Sequence, residues 1–418
     1  MPPRYSQLGS IQGPSDIARL MALALERPDL LSLAAGFTDS ETLPVDAVSA
    51  AARALEADPK AYREALQYGS NRGRPLLRRA IAERLRQQDG VDDDEEGPSE
   101  DQLLVLNGSQ QALYLALQSL CDPGDLVLVE APTYFVFLET LRGLGLRAVT
   151  MPVDACGSID PEGLEALLDD LEGRGEKTRL KAAYFVSYYA NPTGRSIPWD
   201  NKTAVAAILS RKAPGLAIIE DAAYRDLNYE KPWPVPSFLR LPEDAPLHVL
   251  YTGTLTKPFA TGLKVGYAAC SDEDWRGRLL SMKGQHDFGT AHFAQALLEL
   301  AVGQGAFARQ LELLRRTYRS KRDVLLAAIE KPLAALGWQW EVPEGGLYLW
   351  LTAPEGVSTG FESALGKRCL EEGVFYVPGL LCYGNRERDD GVRLSYASLD
   401  EAALAEAGRR FARAAESL

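Results

Sequence analysis

Histidine, methionine and cysteine are scarce in this chain, with three, four and five copies among 418 residues. The histidines are not spaced as ligands, and Cys121, Cys156, Cys270, Cys369 and Cys382 are scattered, odd in number and without a short paired spacing. That pattern argues against a metal centre and a disulfide framework, and fits thiols in a reducing compartment. No apolar run approaches the roughly eighteen residues that a membrane span needs. The opening Met1-Pro-Pro-Arg-Tyr-Ser-Gln7 has no apolar signal core, so a cytoplasmic protein with no membrane partner is expected. Positive charge is also short: 45 Lys and Arg against 58 Asp and Glu leave a net charge of −13. Such a surface repels polyanions, which excludes nucleic acid as the expected partner.

The remaining composition, 46% hydrophobic and 25% charged, is that of an ordinary globular protein. The length exceeds one usual domain, so more than one core is expected. One biased stretch, 91–101 with its acidic run 92–96, reads as a solvated loop between an amphipathic helix over 75–88 and a strand over 103–106.

From residue 103 onward, strand-like and helix-like segments alternate. Apolar runs at 103–106, 126–129, 182–186, 216–219 and 249–251 each end in a polar or glycine-containing cluster. Alternation of this kind predicts an α/β fold: a large domain with a mostly parallel, helix-covered sheet, its site built from loops at the carboxyl ends of the strands. A helical pattern over 291–329 leads to strands at 345–351 and 392–396, a helix over 361–371 and a last helix from Leu399. These form a smaller α+β domain. The expected division is 1–45 as an N-terminal segment joining the small domain, 46–300 as the large domain and 301–418 as the small C-terminal domain.

The strand-end clusters carry the chemistry. Lys257 lies in Thr254-Leu-Thr256-Lys257-Pro-Phe-Ala-Thr-Gly262-Leu-Lys264-Val-Gly266, just past a β-prone run. Small hydroxyls and close backbone approach there suit a phosphate held beside an amine that forms a Schiff base. Gly108-Ser109-Gln110 opens a helix directly after a strand, where free N–H groups and the helix dipole attract an anion; a simple N-cap reads equally well. Tyr134 in Glu130-Ala-Pro-Thr-Tyr134 offers a ring to a flat cofactor, or is an ordinary core residue. Asn191 in Tyr189-Ala-Asn191-Pro-Thr-Gly194 presents an amide donor, or simply starts a turn. Asp221 ends a very apolar strand, and a buried carboxylate there needs a partner, which a protonated pyridine nitrogen supplies. Strand alternation points Glu220 to the opposite face.

Taken in order along the chain, from Ala34-Ala-Gly36 to Arg393-Leu-Ser-Tyr396, these motifs resemble the fold type I pyridoxal-phosphate-dependent aminotransferases of class I/II, the group of 2-aminoadipate and kynurenine aminotransferases. The resemblance implies pyridoxal 5'-phosphate as cofactor, Lys257 as its covalent partner and Asp221 as partner of the pyridine nitrogen. It also implies Asn191 and Tyr224 at the 3-oxygen and Tyr134 against the ring. Ser109, Gln110, Thr254, Thr256 and Lys264 match the phosphate positions, with Tyr68 reaching in from a second subunit of a homodimer. Arg393, with Asn191 and the backbone near Gly36, matches the group that binds the substrate α-carboxylate; without the family, Arg393 reads as a surface ion pair.

Two features depart from the family pattern. Lys264 stands where arginine is usual, keeping charge but losing the bidentate fork. The Ser-x-Ile-Arg pattern appears as Ser15-Asp-Ile17-Ala18-Arg19.

The expected activity is transfer of an amino group between an L-amino acid and a 2-oxo acid by a ping-pong cycle, with freed Lys257 as general base. The same constellation serves elimination, decarboxylation, cyclisation and oxidation, which remain alternatives. A third reading, a non-enzymatic effector domain of a transcription regulator, is disfavoured by the net charge and by the roughly thirty residues before Gly36, too few for a DNA-binding helix-turn-helix module.

Overall fold

A computed structural model describes residues 3–11, 27, 29–92, 97–154, 156–242, 245–386 and 388–418. Ser15 to Arg19 and most of the acidic run fall outside the described residues.

The strands are, in chain order, β1 (Leu31–Ser32), β2 (Leu103–Leu106), β3 (Leu126–Val129), β4 (Arg147–Thr150), β5 (Leu180–Val186), β6 (Ala217–Asp221), β7 (His248–Thr254), β8 (Gly266–Cys270), β9 (Gln339–Trp340), β10 (Tyr348–Thr352), β11 (Val374–Phe375), β12 (Val377–Pro378) and β13 (Gly391–Ser395). Seven of them form one sheet in the order β2-β8-β7-β6-β5-β3-β4. β8 is antiparallel to both its neighbours, and the other pairings are parallel.

The central strands are buried on both faces, which is why they read as unbroken apolar runs instead of alternating ones. Ala217 and Ile219 pack toward the helices Gly108–Leu120, Phe135–Gly143 and Glu273–Asp287, and Ile218 packs toward Pro161–Gly173 and Trp199–Lys212. The same alternation separates two neighbouring acids. Glu220 takes the second face, where it pairs with the buried Lys202 at 2.6 Å and accepts from the Phe238 amide. Asp221 takes the first, and lines the cavity described below.

Beyond the sheet lies the smaller domain, where β12, β13, β10 and β9 form an antiparallel sheet and β1 pairs in parallel with β11. Strand β1 thus brings the segment before residue 45 onto the C-terminal part of the chain. The helices Ala306–Ala335 and Glu401–Glu416 pack together through Leu325, Ile329, Leu404, Ala407 and Phe411.

The helical stretch expected as one piece over 291–329 is two helices, His292–Gly303 and Ala306–Ala335. The break falls at Gly305, whose φ of 68° is the left-handed conformation that glycine adopts without steric cost. Strand β10 starts three residues later than expected because Gly345 and Gly346 press against the large domain. A Cβ on Gly345 would lie 2.6 Å from the Leu227 carbonyl oxygen, and Gly346 donates to that same oxygen at 2.9 Å. Close approach through glycine therefore fixes where β10 enters the site.

Candidate active site

A cavity of about 290 Å³ opens where the carboxyl ends of β2, β5, β6 and β7 meet the small domain. Its walls include Gly36, Ser109, Tyr134, Asn191, Asp221, Tyr224, Thr256, Lys257, Lys264 and Arg393, ten of the thirteen residues singled out from the sequence. Convergence of loops from several strands at the carboxyl end of a mostly parallel sheet is the geometry expected of an open α/β site.

Lys257 follows β7, and its Nζ donates to the Gly36 carbonyl oxygen at 3.1 Å, across 221 residues of sequence. At one end of the cavity the helix Gly108–Leu120 begins after Asn107, whose side chain does not cap it, leaving the first amides for another acceptor. Gly266 makes this turn possible. A Cβ there would stand 2.5 to 2.7 Å from the backbone of Gly108 and Ser109. Gly266→Ala is expected to displace the turn and weaken cofactor binding about tenfold or more while the chain still folds, measured by titrating the cofactor-free protein and by circular dichroism. Lys264 enters the same end from a left-handed backbone with φ 55°.

At the other end Asp221 is fully enclosed. Its carboxylate accepts from the Tyr184 hydroxyl at 2.9 Å and the Ala223 amide at 3.0 Å. Burial pushes its pKa up to about 6, while Tyr184, the Ala223 amide and Lys257 pull the other way. The Tyr224 hydroxyl is held well above the ordinary phenol range, first by burial and then by the neighbouring Tyr348 and Tyr134.

Arg393, on β13, is buried. Nη1 donates to Asn191 Oδ1 at 3.1 Å, Nη2 donates to the Ala34 carbonyl at 2.6 Å, and Nε has no partner. The guanidinium lies between the rings of Tyr348 and Phe135, with its carbon 4.3 and 5.3 Å from their centroids. A guanidinium held flat with a free N–H suits an incoming carboxylate, not a surface ion pair.

Three expected residues lie outside the cavity wall. Thr254 is buried beneath it, its hydroxyl donating to that of Thr256 at 2.6 Å. Gln110 is exposed and donates to Thr140. Tyr68 is 80% exposed and meets the exposed Phe288 edge to face at 5.7 Å.

Tyr348, Phe135 and Phe375 also line the cavity and were not anticipated from sequence. Tyr348 was legible in principle. Alternation along β10 puts it on the face of Trp350, which pairs directly with Arg393 across the ladder.

The donor set fits pyridoxal phosphate: free helix amides with Lys264 and Thr256 at one end, an enclosed carboxylate at the other, a primary amine between them, and a guanidinium to one side. A parallel-sheet α/β fold with this set defines a pyridoxal-phosphate enzyme of fold type I. The family model "Aminotransferase class I and II" matches residues 28–411, and the chain belongs to that family. A 2-aminoadipate transaminase of Thermus thermophilus is 32% identical over 98% of this chain and 96% of its own. Among solved structures, a multiple substrate aminotransferase from Thermococcus profundus superposes with a TM-score of 0.87 at 27% identity, covering 99% of this chain and 97% of that one. The alpha-aminoadipate aminotransferase LysN of Thermus thermophilus, complexed with N-(5'-phosphopyridoxyl)-L-leucine, does so at 0.82 and 29%, with coverage of 99% and 97%. The protein is a pyridoxal-5'-phosphate-dependent aminotransferase.

Proposed function

We propose a division of labour in which Lys257 is the covalent partner of the cofactor and the acid–base group of amino transfer between an L-amino acid and a 2-oxo acid. The observation that carries it is the half-buried amine of Lys257 facing the same cavity as Asp221 and Arg393, the three chemistries the reaction needs at one place. Bound pyridoxal phosphate supplies a cationic ring that absorbs the electron pair left when the α-proton departs.

Each side chain then has one task. Arg393 receives the substrate α-carboxylate, with Asn191 and the Gly36 backbone beside it, and so fixes which bond of the α-carbon faces Lys257. With the cofactor bound, the Lys257 amine would take the α-proton and later give it back. Asp221 would hold the ring nitrogen in its protonated form, Tyr224 and Asn191 would donate to the 3-oxygen, and Tyr134 would stack on the ring. Ser109, Thr256 and Lys264 would anchor the phosphate directly, Gln110 through its backbone amide at the uncapped helix start and Thr254 by holding Thr256 in place.

The domain division at 1–45, 46–300 and 301–418 is supported by the pairing of β1 with β11 and by the antiparallel sheet after residue 338. A homodimer with shared sites is the reading for Tyr68, whose ring forms an exposed aromatic pair with Phe288. A cytoplasmic location is proposed from composition; among the described residues no helix is long and apolar enough to cross a membrane.

The test is a donor screen against 2-oxo acids that follows amine transfer together with ammonia and carbon dioxide release. Stoichiometric exchange of amine for oxo group is expected, with a dimer on sizing. Release of ammonia or carbon dioxide without transfer contradicts the reading, and a monomeric active enzyme contradicts the role of Tyr68.

A further inference from the structure

Tyr348 is one of the residues through which the two halves of the site touch. It is buried at the start of β10, and its hydroxyl stands 3.3 Å from that of Tyr224, with the two rings edge to face at 5.7 Å. Its ring lies under the Arg393 guanidinium at 4.3 Å, close enough for a cation–π contact. A Cβ on Gly36 would come within 3.1 Å of the Tyr348 hydroxyl, and the Gly36 carbonyl is the acceptor for Lys257. One side chain therefore borders the carboxylate anchor, the phenol at the cofactor edge and the backbone that orients the amine.

We propose that Tyr348 is a positioning residue with two separable parts: its ring sets the plane of the Arg393 fork, and its hydroxyl donates to Tyr224. The direction of that hydrogen bond follows from proton count. A phenol has one proton, and Tyr224 directs it at the cofactor 3-oxygen, so the proton between the two hydroxyls comes from Tyr348. A donor that itself accepts a hydrogen bond is polarised and donates more strongly. Arg393 from β13 and Tyr224 from the turn after β6 face Tyr348 directly, and Tyr134 ahead of its helix, Tyr318 from Ala306–Ala335 and Tyr396 after β13 are near enough to feel it electrostatically. The four phenols are held in the neutral form by burial, so none of them takes up the proton in the working range.

This inference rests on the site reading above and is tested on the holoenzyme with two variants. Tyr348→Phe keeps the ring and removes the hydroxyl. The KM for the amino donor is expected to stay within about threefold of wild type, while the midpoint of the cofactor's visible-absorbance pH titration rises by about half a unit or more, because the 3-oxygen loses part of its stabilisation. Tyr348→Leu removes both parts, so the same spectral shift is expected together with a KM about tenfold higher. The inference is overturned if Tyr348→Phe leaves the titration unmoved, or if it raises KM as much as Tyr348→Leu does. Should Tyr348→Leu fail to fold, the Tyr348→Phe split decides alone. A wild-type protein that bound no pyridoxal phosphate would contradict the site reading instead, which separates the two failures.

Discussion

Lys257→Ala is expected to bind pyridoxal 5'-phosphate and yet turn over at least about 10⁴-fold more slowly than wild type, since both the covalent partner and the proton carrier are lost. Binding survives because the anchoring groups stand elsewhere. Ser109, Thr256 and Lys264 line one end of the cavity and Asp221 the other, and none depends on the Lys257 side chain for its own hydrogen bonds. Lys264 also lines the cavity, but it approaches from the turn before β8, at the end where the helix Gly108–Leu120 begins. A small amine added to Lys257→Ala is expected to restore part of the rate, as a diffusible base filling the space left by the side chain. Stopped-flow single-turnover kinetics with one donor checks both statements. Wild-type turnover in the variant contradicts the assignment.

The second large effect belongs to Asp221. Replacing it by Asn preserves shape and the bond from Tyr184 but removes the charge that keeps a ring nitrogen protonated, and turnover is expected to fall by about 10²- to 10³-fold. The same substitution has an opposite signature in the cofactor-free protein. The Asp221 pKa rises from an ordinary 3.8 to about 6 on folding, so the folded state binds this proton more tightly than the unfolded chain. Its contribution is fully present below about pH 4 and is lost as pH rises through 6. Two pKa units correspond to about 3 kcal/mol. Cofactor-free Asp221→Asn should therefore show a flatter dependence of denaturation midpoint on pH between 4 and 7. A wild-type slope in the variant would contradict the burial that the site assigns to this carboxylate.

Much of the site was legible because its residues sit at strand ends, where periodicity and punctuation are strongest. The apolar run before Asp221, the turn after Leu106 and the hydroxyl-rich stretch around Lys257 each carry a local signal, and the sheet supplies their convergence. The orientation of Glu220 away from Asp221 followed from alternation alone and holds in the buried pair with Lys202. Other features had no local signal. Strand β8 runs antiparallel inside an otherwise parallel sheet, and its opening Gly266 reads as part of the glycine-rich turn until Gly108 is seen packed against it. The break at Gly305 was hidden within a helical pattern that a single left-handed residue interrupts. Tyr348 was visible as a strand residue, but its role depends on Arg393 and Tyr224 arriving from 45 and 124 residues away. Tertiary packing, not propensity, decides such contacts.

Lys257 as the cofactor's covalent partner is the claim on which the rest depends. Borohydride reduction of the cofactor-loaded protein, followed by proteolysis and mass spectrometry, tests it directly. The prediction is one phosphopyridoxyl group per chain, carried by the peptide containing Lys257 and absent from Lys257→Ala. The same group found on Lys264, on another lysine, or on none would contradict the account.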